Sequence, residues 1–558
     1  MSPEITVLKS YKLQTVRNRF QPDFADSSLR SLLSSSKMLR TASRSLRAAI
    51  SVRSATSKAH PFTRVPLNQV LPGFEKSEAS SDTNPVLAKK RDPFDAELST
   101  LENGLKVASQ PVHGDFVTIG VAIDSGCRYE AEHKKGISHL VEKLAFASTP
   151  RRSADEIFQA LDKSSAMIDC QSTRDTTIFA ASCHRSGVEE ILEIIADAAL
   201  RPSLLDEEIK AAKETIMHEN EEMRLRIETI EPLMTDWLHQ AAFKHNTLGF
   251  SKFTKTEEAE GMKREDIIKF LRAHHTPARM TVSGVGVEHE ELVGLSRRFF
   301  VESSEAPPSG MPSVDASRAQ YTGGEVRESA DLSRVGAGTP YPLLSHISLG
   351  FEGVGFKDED FVTFCVLQSL LGGGNSFSAG GPGKGMYTRC YVDVLNHHHW
   401  MYGCQAFNHS YADAGVFAVH ASAPPNGIGY ALQIVLDLLL RLPEGAPKEE
   451  LDRAKTQLKS QLLMNLEVRP VMFEDMARQV MGHGYRRKPW EYMQAIDNVA
   501  QADIVRVGNR LLASRPSLVG YGDIQALPTY AELDDAVARR DVKLLNPKNT
   551  KKKYFSFQ

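Results

Sequence analysis

A histidine, a glutamate and a lysine at positions 139, 142 and 143, in the run GISHLVEKLAFAS, have the spacing of an inverted zinc motif, H-x-x-E-H. On a helix, positions i and i+4 stack on one face, so two imidazoles there can grip one zinc ion. The glutamate at i+3 is placed to take a proton from the metal-bound water. Here Lys143 stands where the second imidazole belongs. Lysine is a cation with three donors and no lone pair, so it repels a metal rather than holding it. No metal and no catalytic residue are therefore expected on this chain. A third ligand would be a downstream glutamate, and Glu219 in ETIMHENEE is the candidate; Glu221 and Glu222 follow directly, so the run also reads as a solvated acidic helix face. The Lys143 ammonium, if it points where a metal would sit, offsets the charges of Glu142 and Glu219.

A second unusual run is GGGNSFSAGGPGKGMYTRCYVDVLNHHHWMYG, with glycine at 372, 373, 374, 380, 381, 383 and 385. Glycine at this density lets the backbone adopt positive φ and approach another chain closely. Gly372, Gly373, Gly374, Phe377, Gly380, Gly381, Gly383, Lys384, Gly385 and Met386 are the candidate substrate-binding residues, since one aromatic, one cation and one flexible hydrophobe exceed what a spacer requires. A phosphate-binding loop is excluded. Ser378 stands where its first glycine belongs, Gly385 where its hydroxyl residue belongs, and the preceding segment reads as a helix. His397, His398 and His399 are adjacent, which is the wrong spacing for a shared metal on a helix. The charge run from Lys357 to Asp360 reads as a solvated turn.

The elements that must position these residues come in two sets. Phe116 to Ile123 and Thr177 to Ala181 read as strands; Val188, Ile191, Leu192, Ile195 and Ala199 recur at helical spacing before Pro202. The order then repeats: DTTIFAASCHRSGVEEILEIIADAAL from Asp175 is answered by DAGVFAVHASAPPNGIGYALQIVLDLLL from Asp413. EEIKAAK around Glu208 is answered by EELDRAK around Glu450, and a third match pairs the segments around Asp266 and Asp503. A period of about 240 residues signals a duplicated domain, because solenoid repeats are far shorter. Residues 303–324, rich in Ser, Pro, Ala and Gly, read as a linker. The expected fold is α+β: two duplicated domains of similar topology, 95–302 and 325–545, each a mainly antiparallel sheet with helices packed on one face. A basic tail, 546–558, follows.

Composition narrows the function classes. A net charge of −3 gives no basic stripe for nucleic acid, and no apolar run is long enough to span a bilayer. The six cysteines form no C-x-x-C pair and read as reduced thiols. From Ser27 to Phe74 there is no Asp or Glu, and from Met38 arginines alternate with leucine and isoleucine at helical spacing. That is the composition of a mitochondrial transit peptide, here 38–60, followed by an N-terminal arm, 61–94. Residues 1–37 fit the pattern badly and read as a gene-model extension ahead of the working start at Met38.

The duplication and the degenerate motif together resemble the pitrilysin/insulinase class of zinc peptidases. Within it, HLVEKLAFAST, the glycine-rich run and AKTQLKSQLLMNLEVRPVMFEDMARQVM resemble the mitochondrial processing peptidase branch, over roughly residues 60 to 545. Carried across, His139 matches a metal ligand, Glu142 the general base and Glu219 the third ligand, while Lys143 departs from the second ligand. Asn375 departs from a fourth glycine in the loop. The resemblance implies a non-catalytic subunit that binds presequences of imported precursors through the glycine-rich loop. Zinc and hydrolysis would reside on a β-type partner, and the pair would lie in the mitochondrial matrix or peripherally on the inner membrane. A core protein of respiratory complex III shares this fold and is the alternative; the glycine-rich run favours the peptidase.

Overall fold

The computed structural model describes residues 94–302, 318–335, 342–375 and 386–545. The expected extension, transit segment, arm up to residue 93, linker residues 303–317 and basic tail lie outside the described residues.

Strand β3 (Phe116–Ile123) is apolar at almost every position, as a strand covered on both faces should be. It sits inside a six-stranded sheet with β1 (Glu97–Thr100), β2 (Lys106–Gln110), β4 (Met167–Ser172), β5 (Thr177–His184) and β6 (Met280–Val285), in the order β1-β2-β6-β3-β5-β4. A second sheet contains β7 (Gly324–Ser329), β8 (Ser345–Gly353), β9 (Gly373–Asn375), β10 (Gly403–Ser410), β11 (Gly415–Ala423) and β12 (Ser517–Gly522), in the order β7-β12-β8-β11-β10-β9. The pairings are antiparallel except β2 with β6 and β7 with β12. The two parallel pairs occupy equivalent places, so the sequence repeat is a repeat of topology. The α+β, two-domain fold is as expected.

Eight helices matter for the site: α1 (Ile137–Lys143), α2 (Val188–Leu200), α3 (Asp206–Met223), α4 (Ile230–Ala242), α5 (Phe361–Leu371), α6 (Ile428–Leu440), α7 (Lys448–Leu466) and α8 (Arg469–His483). Alternate residues of a strand point to opposite faces. Val117, Ile119 and Val121 of the first sheet face Ile191, Leu192 and Ile195 of α2, from the same half. Ala108, Ala122, Ile178 and Val285 face the other way, onto Met472, Phe473, Met476 and Ala477 of α8, from the second half. The second sheet mirrors this. One face meets α6 of its own half, and Val416, Ala418, Val519 and Tyr521 meet Met234, Leu238 and Ala241 of α4, from the first half. Each half thus packs its own helices on one face of its sheet and lends one helix to the other's sheet. A bidentate ion pair also joins the halves, Arg128 to Asp413 at 3.0 and 2.9 Å.

Two local readings change. The run from Lys357 to Asp360 is a turn with Lys357 and Glu359 exposed, but its aspartates are held: Arg510 pairs with Asp358 and Asp360, each at 2.8 Å, and Arg506 also pairs with Asp360. These partners lie some 150 residues downstream, beyond the reach of any local pattern. The glycine-rich run likewise starts as structure rather than as loop, since Gly373, Gly374 and Asn375 form the edge strand β9 against Gly403–Gln405.

Candidate functional site

Helix α1 is short and its start is held from outside. Glu130, fully buried, accepts hydrogen bonds from the backbone N–H of Gly136 (2.6 Å) and Ser138 (3.0 Å) and from the Ser138 hydroxyl (2.6 Å). The two N–H groups are donors that the start of a helix leaves unsatisfied. Gly136 turns into the helix at φ +79°, a left-handed conformation, and a Cβ there would strike the Thr254 side chain. The apolar face of α1, Ile137, Leu140 and Val141, packs on Ile209, Ala212 and Ile216 of α3. Continuing that stripe by three residues reaches Glu219. Glu219 therefore faces α1, while Glu221 and Glu222 are exposed, and the solvated-face reading holds only for those two.

The structure brings His139, Glu142, Lys143 and Glu219 together. The Lys143 ammonium is 2.7 Å from Glu219 Oε1 and 3.8 Å from Glu142 Oε1. His139 Nε2 lies 3.6 Å from Glu219 Oε2. Burial pushes the Glu219 carboxyl up, but His139 and the Lys143 ammonium more than offset this and leave it below its ordinary range. Glu142 Oε2 accepts the backbone N–H of Ser172, at the end of β4 (2.9 Å). His139 Nδ1 accepts the backbone N–H of Thr254 (3.3 Å), and its ring stands edge-on to Phe253.

These contacts are wrong for zinc. A ligating imidazole normally donates through one nitrogen to an oxygen and offers the lone pair of the other to the metal. At His139 the backbone donates to Nδ1, so Nε2 carries the hydrogen and directs it at Glu219. Lys143 fills the remaining space with positive charge. The residues present do not fit the ion. Sequence reading missed Glu130, Ser172, Phe253 and Thr254, which come from three separate segments and carry no spacing signal.

Burial pushes the Glu130 carboxyl up to about 7, against the pull of its Ser138 and Gly136 donors. Between the unfolded value near 4.5 and this one, the native state binds more protons than the unfolded state, so this group's contribution to stability falls as pH rises. The urea midpoint should carry a component that declines from pH 5 to pH 8, and Glu130→Gln should flatten it. An unchanged slope in that variant would remove Glu130 as its source.

Of the candidate loop residues, Gly372, Gly373, Gly374 and Met386 are described; Phe377, Gly380, Gly381, Gly383, Lys384 and Gly385 lie outside the described residues. Gly372 follows α5, which takes the place in the second half that α1 takes in the first.

Two family models match the chain, "Insulinase (Peptidase family M16)" over residues 106–255 and "Peptidase M16 inactive domain" over 261–458. The class is thus that of the M16 peptidases. Relatives named mitochondrial-processing peptidase subunit alpha include that of Caenorhabditis elegans, 50% identical over 490 residues (86% of this chain, 94% of the relative). That of Homo sapiens is 42% identical over 488 residues (87% and 91%), and that of Neurospora crassa 33% over 505 (79% and 87%). The chain belongs to the family of mitochondrial-processing peptidase α-subunits within the M16 peptidases.

Proposed function

We propose that this chain is the non-catalytic, presequence-binding subunit of a heterodimeric mitochondrial processing peptidase. A β-subunit partner supplies zinc and hydrolysis, and the pair works in the matrix or peripherally on the inner membrane. The observation that carries this reading is the Lys143 ammonium, in contact with Glu219 and beside Glu142 where a metal would have to sit. The relatives' name, with its subunit designation, supports a partner chain and a mitochondrial setting, and favours this reading over a core protein of respiratory complex III. Among the described residues no helix is long and apolar enough to cross a membrane.

We keep domain limits of 95–302 and 325–545 as a proposal; Gly324 of the expected linker already begins β7, and residues 318–323 are pinned: Tyr321 Oη and Ser517 Oγ are 2.7 Å apart, and Thr322 donates its N–H to Ala242 O at 2.8 Å. Basic amphipathic presequences need apolar and acidic walls and a backbone that can yield. Of these, the segment 372–386 would offer the yielding backbone and the apolar contact, through its glycines, Phe377 and Met386.

The experiment is reconstitution. The chain is purified alone and with its partner, then assayed for zinc and for cleavage of a matrix precursor. Neither metal nor cleavage is expected alone, and both are expected in the pair. Deletion of 376–385 should impair cleavage while leaving dimer and zinc intact. Stoichiometric zinc with hydrolysis by the isolated chain would overturn the reading.

A further inference from the structure

The two stems of the glycine-rich segment are fastened to each other and to the body of the second half. On the outgoing side, α5 ends at Gly372, whose N–H donates to Gln368 O (2.7 Å) and whose carbonyl accepts the Ala406 N–H (2.9 Å). Gly373 follows at φ +103°, where a Cβ would fall 2.0 Å from Cys404 O and force the strand apart. On the returning side, Thr388 Oγ1 accepts the Gly373 N–H (3.2 Å), and the Tyr391 hydroxyl lies over Gly374, 3.5 Å from Asn375 O. Between them Arg389 reaches into α7. It donates through Nε to Glu450 Oε1 (2.7 Å) and through Nη2 to Glu450 Oε2 (3.1 Å) and Gly445 O (2.7 Å). Both side chains are largely buried, at 12% and 16% exposure, so water screens this pair less than a surface pair.

The duplication gives this pair a counterpart. Glu208 in EEIKAAK answers Glu450 in EELDRAK, and Glu208 Oε1 accepts the backbone N–H of Ser148, in the chain that follows α1. In both halves the same acid of the long helix ties down the segment leaving the motif helix. The second half replaces a backbone donor by a charge-assisted fork, which is stronger and geometrically more specific. It does so beside the segment whose glycines set few geometric limits of their own.

We propose that Thr388, Arg389 and Glu450 are positioning residues that fix both ends of the glycine-rich segment, so that it meets the presequence in one place. This rests on the reading of that segment as the presequence-binding element. The test uses the reconstituted heterodimer with Arg389→Glu, Glu450→Arg, the double exchange Arg389→Glu/Glu450→Arg, and Thr388→Val, which keeps shape and loses the acceptor.

Each single charge reversal should raise KM for a precursor roughly tenfold with kcat within about twofold, and the double exchange should recover most of the loss. Thr388→Val should shift KM in the same direction by about threefold. Protease nicking between residues 375 and 386 should rise in the single variants and fall back in the double one. A purely structural role would instead lower dimer yield and kcat, with no rescue. Nicking and KM at the parent level in stably folded single variants would overturn the anchor itself. If nicking rises and is rescued while the deletion of 376–385 leaves cleavage unchanged, the fault lies with the functional reading of the segment.

Discussion

Replacing Lys143 by histidine is expected to raise the zinc affinity of the isolated chain by about 100-fold or more, roughly 3 kcal/mol. The substitution supplies the missing lone pair and removes a positive charge now in contact with Glu219. His139 and Glu219 already lie beside the vacated space. Against this, His139 must move its hydrogen from Nε2 to Nδ1 and give up the Thr254 hydrogen bond, which costs about 1 kcal/mol. The gain from a third ligand exceeds that cost. Lys143→Met is the control, because it removes the charge without offering a ligand of this class. Zinc titration of the two variants reads the difference: equal affinity would mean that the new imidazole does not ligate, and Lys143→Met binding no better than the parent would mean that the ammonium's charge is not the obstacle.

Truncating Arg174 to alanine should destabilise the chain by about 3 to 5 kcal/mol, the range for breaking a buried ion pair from one side. Arg174 sits in the turn between β4 and β5, and its Nη2 is 2.7 Å from Asp236 Oδ1, with both side chains almost wholly buried. Its Nε donates to Leu248 O at 3.1 Å. Asp236 in turn accepts from Gln240 (2.8 Å), the Ser251 hydroxyl (2.7 Å) and the Lys252 N–H (2.8 Å). The loss therefore strands a charge and loosens α4 midway along its contact with the second sheet. Urea denaturation measures it, and Arg174→Met with Asp236→Leu should cost less than the sum of the two single changes. A loss below about 1 kcal/mol for Arg174→Ala would mean that water reaches the pair.

Much of this was legible in the sequence where one pattern decides one element. Strand β3 spans the residues that its apolar run predicts, a helix, α5, precedes the glycine-rich run, and α2 ends before Pro202. His139, Glu142 and Lys143 were visible because a helix fixes their spacing. Glu219 was harder. Its neighbours Glu221 and Glu222 blur the run, and only the stripe of Ile209, Ala212 and Ile216 tells which acid turns inward. Partners drawn from distant segments left no trace. Nothing near Asp358 and Asp360 announces Arg506 and Arg510, and nothing near His139 announces the Thr254 N–H that sets its tautomer. The segment that becomes α8 stood out only as part of a resemblance, and nothing in it says that Met472, Phe473, Met476 and Val480 cover the sheet of the other half.

The loan of α4 and α8 makes the duplicate halves mutually dependent for folding. Cut free of its twin, either half would present a bare apolar sheet on one side and an orphan amphipathic helix on the other. Such a fragment should be insoluble alone. The two fragments produced together, severed at residues 303–317, should complement each other into a single cooperative melt. An ancestral single-repeat protein built this way would have had to pair with a copy of itself.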